Sequence, residues 1–216
     1  MSGTNRTRIK LCGMMSPEDV KNASALSPDY IGVILSKGFR RSVDPSELPK
    51  FRENLSEGIP LVGVFVDEPM ENITSLANEG LIDVIQLHGN ESDDDIVSLK
   101  KDTNKQIIKA IKITSKEDVK KAEISAADIV LLDAGTGTGE SFDWSLIKGI
   151  KRDFILAGGL DPTNVTNAIQ TIRPYGVDVS SGIETDGKKD KKKMADFVAG
   201  ARKADSIEDS AERRKL

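Results

Sequence analysis

Eight short apolar runs, each parted from the next by a stretch of helical character, leave this chain few possible folds. The runs are RIKLC (8–12), YIGVIL (30–35), PLVGVFV (60–66), DVIQLH (83–88), IIKAIKI (107–113), DIVLLD (128–133), FILAGG (154–159) and GVDVSSG (176–182). Several are apolar nearly throughout, as strands covered on both faces must be. Helix signals stand between them. SPEDV (16–20) sets a serine before a proline and two acids, and DPTNV (161–165) repeats the device. Val165, Ala168, Ile169 and Ile172 share one helical face, as do Met194, Phe197, Val198 and Ala201. Ile73, Leu76 and Ala77 make a shorter stripe, and Trp144 to Lys151 is the weakest helical segment.

Strands alternating with helices imply an α/β fold with a parallel sheet. An open doubly wound sheet is one solution. Eight units in about 200 residues suit a closed (β/α)8 TIM barrel better. The expectation is a single barrel domain over 8–204, a flexible N-terminus at 1–7 and a charged tail at 205–216 that frays or is disordered.

Composition narrows the function classes. One cysteine excludes an internal disulfide framework and gives no metal-type spacing. The opening MSGTNRTR lacks the apolar stretch of a signal peptide, and no run is long enough to span a membrane. A cytoplasmic protein is expected. The net charge of −4 speaks against a nucleic-acid partner. The basic run DGKKDKKK (186–193) reads as the solvated start of a helix.

A barrel of this kind carries its active site at the C-terminal ends of its strands. The chain's only cysteine, Cys12, and its only histidine, His88, both fall at that end, as does Asp133. A cysteine there often serves as a small buried hydrophobe, and an aspartate as a loop cap. Their joint placement favours a site. Gly158-Gly159 and Ser181-Gly182 follow the seventh and eighth strands, where barrels bind phosphate. Arg40 and Arg41 follow the second strand. Being adjacent, they are expected to point opposite ways in an extended loop.

These motifs, in this order, resemble the phosphoribosylanthranilate isomerase family. The likeness covers IKLCGM (9–14), QLHGNE (86–91), LLDAGTGTGESFDW (131–144), AGGLDPTNV (157–165) and GVDVSSGIE (176–184). The second-strand loop departs from it, with FRRSV (39–43) replacing a Ser-Pro-Arg triplet, and the glycine loop after Asp133 is short. The resemblance implies an Amadori rearrangement of an aminoaldose to an aminoketose, an isomerase reaction of tryptophan biosynthesis. It implies no cofactor and no metal, a phosphorylated small molecule as partner, and a monomer. It also implies Cys12 as base and Asp133 as acid. Arg41 would meet the anthranilate carboxylate, Gly158, Gly159, Ser181 and Gly182 the phosphate, and His88 and Asp178 would lie in the pocket. Such chemistry asks for a thiol pKa lowered from about 8.5 and an aspartate raised from about 3.9. Two alternatives stay open: another phosphosugar enzyme on the same barrel, and a non-enzymatic barrel that binds a phosphorylated ligand. A single histidine weighs against a metal-dependent version of the first. The second would have no need of Cys12 and Asp133.

Overall fold

The computed structural model describes residues 6–133, 144–147 and 149–213. All eight expected strands are present: β1 (Arg8–Leu11), β2 (Tyr30–Ile34), β3 (Leu61–Phe65), β4 (Val84–Leu87), β5 (Gln106–Lys112), β6 (Ile129–Asp133), β7 (Phe154–Ala157) and β8 (Gly176–Val179). They pair in parallel and in sequence order, and β8 returns to β1 to close the barrel. The helices are α1 (Pro17–Ser24), α2 (Leu48–Glu53), α3 (Met70–Asn78), α4 (Asp93–Thr103), α5 (Lys116–Ile124), α6 (Val165–Ile172) and α7 (Lys191–Arg213).

Period-two alternation sorts the strand side chains into two apolar layers. Ile9, Leu11, Ile85, Leu87, Val130, Leu132, Val177 and Val179 belong to the large core that includes the helices. Val62, Val64, Val84, Ile108, Ala110, Leu131 and Ile155 form the second, inside the barrel. Both faces of each strand are therefore dry, which is why the runs read as continuously apolar.

Helix starts follow local chemistry. Ser16 caps α1 by accepting from the Asp19 N–H, with Pro17 at the first position. Ser92 with Asp95, and Ser115 with Asp118, form reciprocal capping boxes on α4 and α5. DPTNV behaves differently. Asp161 accepts from the N–H groups of Thr163 and Asn164, which makes a turn, and α6 begins only at Val165. Between β6 and β7 the weakest helical segment becomes a 3-10 turn at Trp144–Ile147.

At the C-terminus α7 runs into the charged segment, to Arg213. Its anchor is polar: Asp205 accepts from the N–H and the hydroxyl of Thr7, at 3.2 and 2.7 Å, while Arg202 donates to the Thr7 carbonyl at 2.7 Å. Thr7, just before β1, is thereby buried. Asp29, before β2, gathers Arg6, Arg8, Arg202 and the N–H of Ile9 at 2.7–3.2 Å. This carboxylate ties the start of the β1–β2 pair to the last helix. Asp29→Ala leaves the Ile9 N–H without its acceptor, so a loss of about 1–3 kcal/mol is expected. Urea unfolding with an unchanged m-value would show it, and a midpoint equal to wild type would refute it.

Candidate active site

The site grows from the inward face of β1. Cys12 extends the strand, its N–H donating to the Val179 carbonyl at 2.8 Å, and its free thiol is buried in the barrel layer. Two residues earlier on the same face is Lys10, wholly buried. Its Nζ donates to Asp178 Oδ1 at 2.8 Å, and Lys10 and Asp178 are direct partners across the β1–β8 pairing. The neighbouring inward position on β2 is Gly32. A Cβ there would lie 2.8 Å from Cys12 Sγ and 3.1 Å from Lys10 Nζ, so only glycine leaves room for both groups.

A small hairpin covers the thiol side of the rim. Strands β9 (Glu184–Thr185) and β10 (Lys188–Lys189) pair antiparallel around Asp186 and Gly187, both at positive φ, as a tight two-residue turn requires. Lys189 is buried at its side chain. It donates to the Ser180 carbonyl at 2.8 Å and to Glu184 Oε1 at 2.9 Å. Glu184 also accepts from Arg41 Nε and Arg40 Nη2, each at 2.5 Å. The two arginines thus converge rather than diverge, because residues 37–41 form turns and not an extended strand. Arg41 Cδ and Lys189 Nζ lie 2.8 and 3.4 Å from where a Cβ on Gly13 would sit, which brings both beside Cys12. The basic run is therefore not simply solvated: one of its lysines is interior.

Electrostatics here are dominated by dryness. Burial pushes the Cys12 thiol up; Lys10 and Lys189 pull it back, and Asp178 opposes them. The net shift is upward, against the lowering expected from the sequence. Burial also works against the charge on Lys10, but Asp178 and Cys12 outweigh it, so its pKa is raised and it is held as an ammonium. Burial brings the pKa of Lys189 down, with Glu184 and Cys12 opposing.

The other wall is built by β4 and β6. Asp133 ends β6, half-buried, and His88 follows β4 with its N–H on the Phe65 carbonyl at 2.7 Å. Gln86 Nε2 lies 3.0 Å from His88 Nδ1, and His88 Nε2 lies 3.5 Å from Asp133 Oδ2. The tautomer that accepts from the Gln86 amide at Nδ1 is the one that turns an Nε2 proton toward the Asp133 carboxyl. Gln86 Oε1 is buried and has no hydrogen-bond partner among the described residues. The loop after His88 is braced from outside the barrel. Glu91 accepts from the Gly89 N–H and from Lys109 Nζ at 2.9 and 2.6 Å, and Lys109 also donates to the Gly89 carbonyl at 2.8 Å.

The two glycine loops meet at the rim. Gly158 and Gly159 follow β7 at φ 92° and 67°. Ser181 and Gly182 lie in a 3-10 turn after β8, and a Cβ on Gly182 would fall onto the Leu160 carbonyl oxygen. The contact holds the two loops together. Cys12, Asp133, His88, Arg41, Gly158, Gly159, Ser181 and Gly182 all stand at this one end of the barrel, with Asp178 just below. The short glycine loop at 134–143 lies outside the described residues. A cavity of about 250 Å³ lined by Ile147, Phe154, Arg173 and Tyr175 opens at the opposite end, where β7 and β8 begin, away from these groups.

Sequence reasoning missed Lys10, Gln86, Glu184 and Lys189. For Lys10 and Gln86 a signal existed: each is a polar residue at an inward position of a doubly buried strand, two residues before Cys12 or His88. Glu184 and Lys189 gave none, since only the hairpin turns them inward.

A closed parallel barrel with a thiol, a carboxyl and paired glycine loops gathered at its C-terminal rim defines a TIM-barrel enzyme. The N-(5′-phosphoribosyl)anthranilate (PRA) isomerase family model matches residues 9–200. The N-(5′-phosphoribosyl)anthranilate isomerase of Caldanaerobacter subterraneus subsp. tengcongensis is 43% identical over 202 residues, 90% of this chain and 98% of that protein. Its counterpart in Clostridium acetobutylicum is 38% identical over 205 residues, 91% of this chain and 98% of that one. The crystal structure of phosphoribosyl anthranilate isomerase from Thermotoga maritima superposes with a TM-score of 0.84 at 33% identity, covering 91% of this chain and 99% of that one. A phosphoribosyl anthranilate isomerase in complex with reduced 1-(o-carboxyphenylamino)-1-deoxyribulose 5-phosphate gives 0.81 at 32% identity, covering 91% and 99%. The chain belongs to the N-(5′-phosphoribosyl)anthranilate isomerase family.

The three cations around Glu184 make acid stability a test of the rim. Burial alone would raise its pKa, but Arg41, Lys189 and Arg40 bring it from an ordinary 4.5 to about 2. A lowered carboxylate adds stability above its unfolded pKa and loses it as pH falls toward its folded one. Glu184→Gln is therefore expected to be less stable than wild type at neutral pH, with the gap closing between about pH 4.5 and 2. Urea midpoints across that range measure it; a gap independent of pH would refute it.

Proposed function

We infer that this chain catalyses the Amadori rearrangement of N-(5′-phosphoribosyl)anthranilate to 1-(2-carboxyphenylamino)-1-deoxyribulose 5-phosphate by general acid–base catalysis, with Cys12 as base and Asp133 as acid. The observation that carries the reading is the placement of these two groups at one rim, three strands apart around the ring, with the glycine loops of β7 and β8 between them. Asp133 gives its proton to the ribose ring oxygen, and the C1′–O bond opens to a Schiff base. Cys12, as thiolate, takes the C2′ proton. The electron pair of that C–H bond forms the enamine and neutralises the iminium. Tautomerisation then delivers the aminoketose.

The remaining residues bind and orient. Gly158, Gly159, Ser181 and Gly182 line the place for the phosphate, where backbone N–H groups can meet an anion. Arg41 meets the anthranilate carboxylate, to which its planar guanidinium is suited. Glu184 holds that guanidinium in place before substrate arrives. His88, itself held by Gln86, orients the Asp133 carboxyl.

Cys12→Ser and Asp133→Asn are each expected to lower kcat by about 10²–10⁴-fold, the usual share of a positioned acid or base. The fluorescence of the substrate follows its consumption directly. A fully active Cys12→Ser enzyme would remove the thiol from the mechanism. An inert wild type that still binds a sugar phosphate would favour the binding-protein reading.

Among the described residues no helix is long and apolar enough to cross a membrane. A cytoplasmic location suits a base that must stay a reduced thiol. We also read the chain as a monomer, since among the described residues the exposed large apolar side chains Phe39, Val97, Ile124 and Ile207 lie on one loop and three different helices. One Thermotoga maritima structure is described as monomers of a dimeric isomerase. Light scattering is expected to give the mass of one chain, and a twofold mass would refute the monomer.

A further inference from the structure

A thiol in a dry barrel makes a poor base unless something nearby stabilises its charge. The groups facing Cys12 come from every element around it. Lys10 lies two residues below on its own strand, and Asp178 on β8 holds Lys10 at 2.8 Å. Lys189 comes from the hairpin, fixed by Glu184 and the Ser180 carbonyl. Arg41 lies over Gly13, and β2 contributes only Gly32. Of the cations, Lys10 alone is enclosed within the barrel itself. It cannot swing away, because Asp178 is its direct cross-strand partner and Gly32 opens the space in which it and the thiol lie together.

We propose that Lys10, fixed by Asp178, is a positioning residue that stabilises the Cys12 thiolate and so makes the buried thiol usable as a base. The S–H bond breaks before the C2′ proton is taken. Its proton passes to water, and the electron pair stays on sulfur beside the ammonium. Asp178 has the opposite effect on sulfur but serves to keep Lys10 charged and in place. Burial and Lys10 set the thiol's affinity for its proton in opposite directions, consistent with Lys10 being its strongest charged influence. Asp178, read from the sequence as a pocket residue, then acts through Lys10.

The inference rests on the reading of Cys12 as base, so its test includes a measurement that needs no substrate. Cys12 is the only cysteine in the chain, so the ultraviolet absorbance of its thiolate can be titrated in the ligand-free protein against a Cys12→Ser blank. Lys10→Met is expected to raise the thiol's midpoint by about 1–3 pH units, the effect of removing an opposite charge at close range. That variant leaves Asp178 buried without a partner, and Lys10→Met/Asp178→Asn avoids the stranded charge. The double variant is expected to show a smaller rise, because the opposing carboxylate is gone as well. The acid limb of the kcat/KM profile should move with the thiol, so that kcat recovers at high pH while KM changes little. A thiol midpoint unmoved in the folded double and single variants overturns the proposal, whatever the role of Cys12. A thiol midpoint that moves while the acid limb stays still upholds the effect of Lys10 on sulfur and removes Cys12 as the base.

Discussion

The Lys10–Asp178 ion pair is the constraint around which the rest of the structure is arranged. It joins the first strand to the last inside the barrel, at the seam where the sheet must close. An ion pair so enclosed is seldom a net source of stability, because desolvating both charges offsets their attraction. An apolar pair of similar size would close the seam as well. What the apolar pair could not supply is a positive charge below the only thiol. Gly32 follows from the same requirement, since any side chain there would occupy the space the ammonium and the sulfur share.

A second charged assembly works at the rim in a different regime. Glu184 draws Arg40, Arg41 and Lys189 together where solvent reaches the outer partners and the inner lysine is dry. The β9–β10 hairpin is thus tied to the loop after β2, across the mouth above Cys12. One carboxylate fixes the cation assigned to the substrate's carboxylate and another cation beside the thiol. On the roles proposed for Arg41 and Cys12, binding and proton transfer share a support, so a change in either loop reaches both.

Much of the architecture was legible in the sequence because doubly buried strands leave a strong signature. All eight runs became strands in the expected order. The strand ends placed Cys12, His88 and Asp133 together, and the glycine pairs marked the loops after β7 and β8. The failures have physical causes. Lys10 hid between Ile9 and Leu11 because a lysine in a strand is ordinarily solvent-facing, and only the pairing register shows its carboxylate partner. Lys189 hid in a basic run whose Asp186-Gly187 turn folds it inward. An extended loop would turn Arg40 and Arg41 to opposite sides, but they lie in turns, which do not alternate their side chains, and both reach Glu184. The thiol's shift could not be read at all, since burial and two lysines compete and only geometry decides between them. DPTNV showed that a capping motif can be used up by a turn.

The central claim is that acid and base face one substrate from opposite sides of a single rim. A crystal structure with reduced 1-(o-carboxyphenylamino)-1-deoxyribulose 5-phosphate bound to this chain tests it most directly. The account predicts the phosphate between Gly158-Gly159 and Ser181-Gly182, with C2′ about 3–3.5 Å from Cys12 Sγ as reacting atoms require. The Asp133 carboxyl should approach the ligand from the far side, and Arg41 should reach its carboxylate. A ligand seated with C2′ turned away from the thiol, or with its phosphate elsewhere on the rim, would contradict it.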